Sequence, residues 1–66
     1  MKMLANDPPK GTEVRFLREV EKAARGNVGR LVGPLRKYFT ESADDEFEVE
    51  FMGEKIIVRR SDIDKA

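Results

Sequence analysis

The sequence predicts an all-β domain of about five short strands with a long first loop. Three observations carry that expectation. Phe47, Val49 and Phe51 alternate with Glu48 and Glu50, the period-two pattern of a half-buried strand. A β-branched run, Ile56-Ile57-Val58, follows Gly53 closely enough to form a hairpin with it. Finally, Gly29, Gly33 and Pro34 crowd a stretch that is poor helix and acceptable bent strand. With 66 residues the chain holds one domain, read as a flexible leader over 1–10 and a single folded unit over 11–66.

In the leader, Asn6-Asp7-Pro8-Pro9 forbids helix and favours extended or turn backbone, so its removal is expected to cost little. Residues 12–25 admit two readings. As a helix, Val14, Leu17, Val20 and Ala24 form one stripe, with Thr12 as N-cap and Gly26 as terminator. As a strand, Glu13 to Arg18 extends from Gly11 and a long loop runs to Asn27. The strand fits an all-β barrel; the helix gives the alternative, an α+β fold with helix 12–25 packed on a 46–60 hairpin.

Val28 to Val32 reads as the next strand, which Leu35 to Phe39 can continue before a polar loop from Thr40 to Glu46. In the hairpin, a Gly53-Glu54 loop would set Val49 opposite Val58 and Glu48 opposite Arg59. A Met52-Gly53 loop slides the pairing by two and keeps the same faces together. Ser61 to Asp64 is a closing turn with Ile63 tucked beneath the sheet. The expected core is Val14, Phe16, Val28, Leu31, Phe47, Val49, Phe51, Ile56, Val58 and Ile63.

Composition narrows function more than it names it. The chain contains neither Cys nor His, which removes disulfides, thiolate or imidazole metal sites and the usual nucleophile–base pairs. No enzyme activity and no cofactor is expected. Thirteen basic and thirteen acidic residues cancel, but residues 1–38 carry nine of the basic ones and four acids, and residues 39–66 the reverse. This asymmetry becomes a spatial dipole only if the fold separates the halves. The longest strictly apolar run, Ile56-Ile57-Val58, is far short of the roughly 20 residues that cross a bilayer, and the N-terminal segment lacks the apolar stretch of a secretory signal. No membrane insertion and a cytoplasmic location are expected.

Taken in order, Gly11-Thr12-Glu13-Val14-Arg15-Phe16-Leu17-Arg18, Asn27-Val28-Gly29-Arg30-Leu31-Val32, Phe47 to Phe51 and the closing segment to Ile63 resemble a small SH3-like barrel. The first segment is similar to the opening strand of the photosystem I reaction-centre subunit IV family: Gly, a hydroxyl residue, Val-Arg, an apolar pair and Arg. The likeness extends to the variable chain of ferredoxin-thioredoxin reductase. The resemblance covers about 50 residues and implies a non-catalytic accessory that docks on a larger electron-transfer protein. The charged, Ala-rich stretch Glu19 to Arg25 and the acidic stretch Glu41 to Glu50 depart from the photosystem pattern.

Candidate partner-binding residues follow from charge and exposure. Arg15, Arg18, Lys22, Arg25, Arg30, Arg36 and Lys37 would form a basic rim if the first loop and second strand share a face, with Tyr38 and Phe39 beside it. Such a rim suits a larger protein partner, or, as the second expectation, single-stranded nucleic acid, whose phosphates take the charge and whose bases stack on the aromatic ring. Phe39 is read as core. Ile57 falls on the Glu48 and Glu50 face and is a docking contact if nothing covers it, in a monomer or a weak homodimer. The acids Glu41, Asp44, Asp45, Glu46, Glu48 and Glu50 lack the ligand order of a calcium loop and read as a solvated loop and the wet face of a strand; no metal site is expected. The glycines from 26 to 33 lack the Lys-Ser/Thr ending of a phosphate-cradling loop and read as turns. Arg59 is expected to pair across the hairpin with Glu48.

Overall fold

The computed structural model describes residues 3–66. Five antiparallel strands form one sheet: β1 (Glu13–Phe16), β2 (Val28–Arg36), β3 (Glu46–Phe51), β4 (Glu54–Arg59) and β5 (Ile63–Lys65), with a 3-10 turn over Arg60–Asp62. Their order is β4-β3-β2-β1-β5. This is a meander whose last strand returns to pair with the first, with a long first loop and a 3-10 turn before the closing strand: the small all-β, barrel-like fold of five strands expected from the sequence. Among the described residues no helix is long and apolar enough to cross a membrane.

Residues 12–25 are strand and loop, which overturns the helical alternative. The buried side chains are Val14 and Phe16, two apart as a strand requires, while Ala24 of the helical stripe is exposed. The loop after Phe16 doubles back on itself through mutual hydrogen bonds between Val20 and Ala23, sinking Ala23 into the core.

The hairpin takes the Met52-Gly53 loop. Phe51 faces Glu54, Val49 faces Ile56, Phe47 faces Val58 and Glu46 faces Arg59. Both loop residues have positive φ, 54° at Met52 and 78° at Gly53, the mirror-image turn that matches strand twist. The register corrects the expected Glu48–Arg59 pair: Arg59 lies opposite Glu46, its guanidinium 4.0 Å from Asp44, and Glu48 lies opposite Ile57.

The core departs from expectation in three places. Val28 is 39% exposed because it starts β2 at the open end of the sheet. Phe51 is half-buried and meets Phe16 edge to face, with ring centroids 5.7 Å apart. Phe39, read as core, is fully exposed. β2 ends at Arg36, and Asp45 gathers the backbone N–H groups of Tyr38 and Ser42 at 2.8 and 3.0 Å, so the chain between them bows away from the barrel.

Leu4 is completely buried, and this alters the reading of the leader. Its N–H donates to the Ile63 carbonyl at 2.7 Å, and its side chain joins the core. Residues 3–10 are therefore part of the packed domain rather than a loose lead-in; Met1 and Lys2 lie outside the described residues.

What fastens this segment is a buried ion pair. The Arg60 side chain is 1% exposed and its guanidinium lies 4.9 Å from the Phe47 ring centroid. Nε and Nη2 donate to Asp45 Oδ2 at 3.1 and 2.9 Å; Nη1 donates to the Leu4 and Asn6 carbonyls at 3.2 and 2.6 Å; Nη2 also donates to Asp7 Oδ1 at 2.9 Å. Asp45 is fully buried. One guanidinium thus ties together the N-terminal segment, the β2–β3 loop and the 3-10 turn. Every donor and acceptor is matched, which is the condition for tolerating a buried charge.

The pair sets an acid limit on stability. The Tyr38 N–H, with the Ser42 N–H and the Arg60 guanidinium, outweighs burial and holds the Asp45 carboxyl below its ordinary value of 3.8. The Lys37 ammonium, and after it Arg60, does the same for Asp7. A carboxyl depressed on folding contributes stability that is complete above its unfolded value and disappears as pH falls through the folded one. Denaturant midpoints are therefore expected to hold steady down to about pH 4 and to drop below it. A midpoint unchanged to about pH 2 would show that neither carboxylate is coupled to folding.

Candidate functional site

The strand pairing decides where the basic residues go. Arg30 lies opposite Glu13 on β1 and Glu50 on β3, Arg36 lies opposite Glu46, and Arg15 lies opposite Asp64 on β5. In the loops, Arg18 Nε is 3.1 Å from Asp62 Oδ1, Lys22 pairs with Glu54, and Lys37 pairs with Asp7. The basic half of the sequence is thus interleaved with the acidic half, because β2 pairs along β3. The sequence asymmetry does not become a spatial dipole, and the arginines do not form one rim.

They fall instead into separate places. Arg15 and Arg25 line a shallow recess of about 140 Å³ beside Leu17 and Gly26. Arg36 and Tyr38 stand together at the far end of β2, the guanidinium 5.7 Å from the ring centroid. Ile57 is the apolar residue on the outer face of β4, between Lys55 and Arg59, and is 57% exposed. The acidic residues are likewise accounted for: Asp45 is inside with Arg60, and Glu46, Glu48 and Glu50 run down the outer face of β3.

One concave feature falls outside the residues that the sequence singles out. An open groove of about 660 Å³ lies between the first loop and the hairpin tip, lined by Lys22, Asn27, Val28, Phe51, Met52 and Glu54. Its apolar wall is Val28, Phe51 and Met52, the last 82% exposed. A smaller recess of about 220 Å³ shares that wall and runs on to Arg30 and Glu50. Gly29 permits the close packing beneath: a Cβ there would sit 2.8 Å from both the Glu50 carbonyl oxygen and Val49 Cγ1. The Lys22–Glu54 pair bounds one side of the groove, and Glu13, Arg30 and Glu50 bound the other. Met52 presents its side chain from a left-handed conformation that bulky residues usually avoid. A sequence signal existed in retrospect: Met52 is the apolar first residue of a two-residue turn, where Asn or Asp is the usual choice.

No protein-family model, no curated protein and no solved structure matches the chain. The groove has apolar walls and charges of both signs at its borders.

Proposed function

We propose that the protein is a non-catalytic docking module that binds a larger protein through the Val28–Phe51–Met52 groove. The exposed Met52 at the groove mouth carries this reading. A flexible thioether adapts to an inserted apolar side chain, and the alternating border charges fix orientation without demanding a highly charged partner. The accessory role implied by the resemblance to photosystem I subunit IV and the ferredoxin-thioredoxin reductase variable chain agrees with it, as does a chain lacking Cys and His. The nucleic-acid alternative needs a continuous basic surface, and the interleaved charges do not supply one.

The test is a capture experiment from native lysate with the tagged protein and its Met52→Asp variant, in nuclease-treated and untreated halves. The expected result is a discrete protein that survives nuclease and is lost with Met52→Asp. Recovery that vanishes with nuclease and ignores Met52→Asp would replace the reading with nucleic-acid binding.

A further inference from the structure

β4 is an edge strand. Its pairing with β3 fixes which backbone groups are left over. In an antiparallel pair, residues alternate between those that exchange hydrogen bonds with the neighbour and those whose N–H and C=O point away. Phe51 and Glu54 close the two-residue loop as a bonded pair, so Val49–Ile56 and Phe47–Val58 are bonded pairs as well. The Arg60 N–H donating to the Asp45 carbonyl at 2.7 Å continues the same phase. Lys55, Ile57 and Arg59 therefore direct their backbone groups off the sheet. The Arg59 N–H already ends on Asp62 Oδ2 at 2.9 Å, which confirms the direction and closes that end of the edge. Among the described residues, no backbone group outside the hairpin hydrogen-bonds Lys55 or Ile57.

The outer face beside this edge has an alternating pattern of charge. Across β2, β3 and β4, one row reads Arg30, Glu50, Lys55 and another reads Arg36, Glu46, Arg59; between them, Gly33 and Glu48 lead to the exposed Ile57. Cation follows acid and acid follows cation, and the pattern stops at β4 on Lys55, Ile57 and Arg59. Cross-strand opposite charges favour pairing and like charges oppose it.

The geometry points to β4 as the acceptor for an extended segment of a partner protein that presents an acid, a branched apolar residue and an acid at alternate positions, facing Lys55, Ile57 and Arg59. Backbone bonds come from Lys55 and Ile57, and the Asp62 cap makes the added strand short. A second copy of this chain fits poorly: centring β4 on itself at Ile57 sets Lys55 opposite Arg59 of the other copy, twice. The proposal rests on the reading of the protein as a docking module but uses a different surface from the groove.

The test uses the full chain and the blocked peptide Thr-Glu-Thr-Val-Thr-Glu-Thr, followed by amide chemical shifts and hydrogen exchange. The expected result is that shifts and slowed exchange centre on Lys55 and Ile57 and weaken as salt rises. Lys55→Glu is expected to weaken binding roughly tenfold or more, and exchanging the facing peptide Glu for Lys to restore it. Lys55 and Ile57 are exposed, so these readouts do not depend on a damaged fold. No shifts at millimolar peptide would overturn edge addition. Shifts confined to Val28, Phe51 and Met52 would overturn it while leaving the groove reading intact, and a doubled mass without peptide would assign the edge to a second copy.

Discussion

Replacing Arg60 by Met is expected to abolish cooperative unfolding at room temperature. The Met side chain fills much of the volume but leaves the fully buried Asp45 carboxylate with two backbone N–H donors and no compensating charge. Breaking a buried pair from one side costs about 3–5 kcal/mol. The total stability of small domains is about 5–15 kcal/mol, and a chain of this length falls at the low end. Asp7, half-exposed, keeps Lys37 and water when Arg60 is lost; Asp45 has no such recourse. Arg60→Lys keeps the charge but cannot reach Asp45, Asp7 and the two carbonyls together, so it should lower the denaturant midpoint without eliminating the transition. A midpoint for Arg60→Met equal to that of the parent would mean that the pair contributes nothing net.

Deleting residues 1–7 is expected to be nearly as severe. The deletion removes Leu4 from the core, and truncating a buried Leu costs about 2–5 kcal/mol. It also removes three of Arg60's acceptors, the Leu4 and Asn6 carbonyls and the Asp7 carboxylate, where bonds to a charged group contribute about 1.5–3 kcal/mol each. Water replaces some of those bonds, so the losses do not add in full. The measurement is amide dispersion and a thermal transition on the truncated chain. A truncated protein that melts within a few degrees of the parent would return residues 1–7 to the status of a dispensable leader.

The barrel was legible wherever burial imposed period two. Phe47, Val49 and Phe51 with Ile56 and Val58 gave the hairpin, and either turn kept the same faces together, so the uncertain register did no harm to the architecture. Val14 and Phe16 gave the first strand only once the helical stripe through Leu17 and Ala24 was set aside, and no local pattern forces that choice; the competing burials come from across the sheet. The Arg60–Asp45 pair is hard to see because charged residues beside a turn ordinarily lie at the surface. The signal was nonetheless present. Carrying the alternation one step past each strand places Asp45 after Phe47 and Arg60 after Val58 on the inward side, opposite each other. Leu4 had no such signal: a short apolar stretch, Met3-Leu4-Ala5, before two prolines acquires its meaning only from Ile63 and Arg60, more than fifty positions from Leu4. The groove offered only the apolar turn residue Met52 as a signal, since Val28 and Met52 come together only through the pairing of β2, β3 and the hairpin tip.

The separation that hid the Arg60 bonds to Leu4 and Asn6 also delays their formation. The hairpin closes on neighbouring residues in microseconds, whereas the Arg60 bonds to Leu4 and Asn6 join positions 56 and 54 apart and must wait for nearly the whole chain to be in place. Contacts made after the folding barrier leave the folding rate alone and slow the escape from the native state. The Leu4 and Asn6 bonds are thus a latch on the N-terminal segment, whereas the Arg60 bonds to Asp45 span 15 positions and extend the hairpin. In Arg60→Lys the share of the loss that comes from Leu4 and Asn6 should appear in the unfolding arm of the kinetics, so that the protein opens more readily.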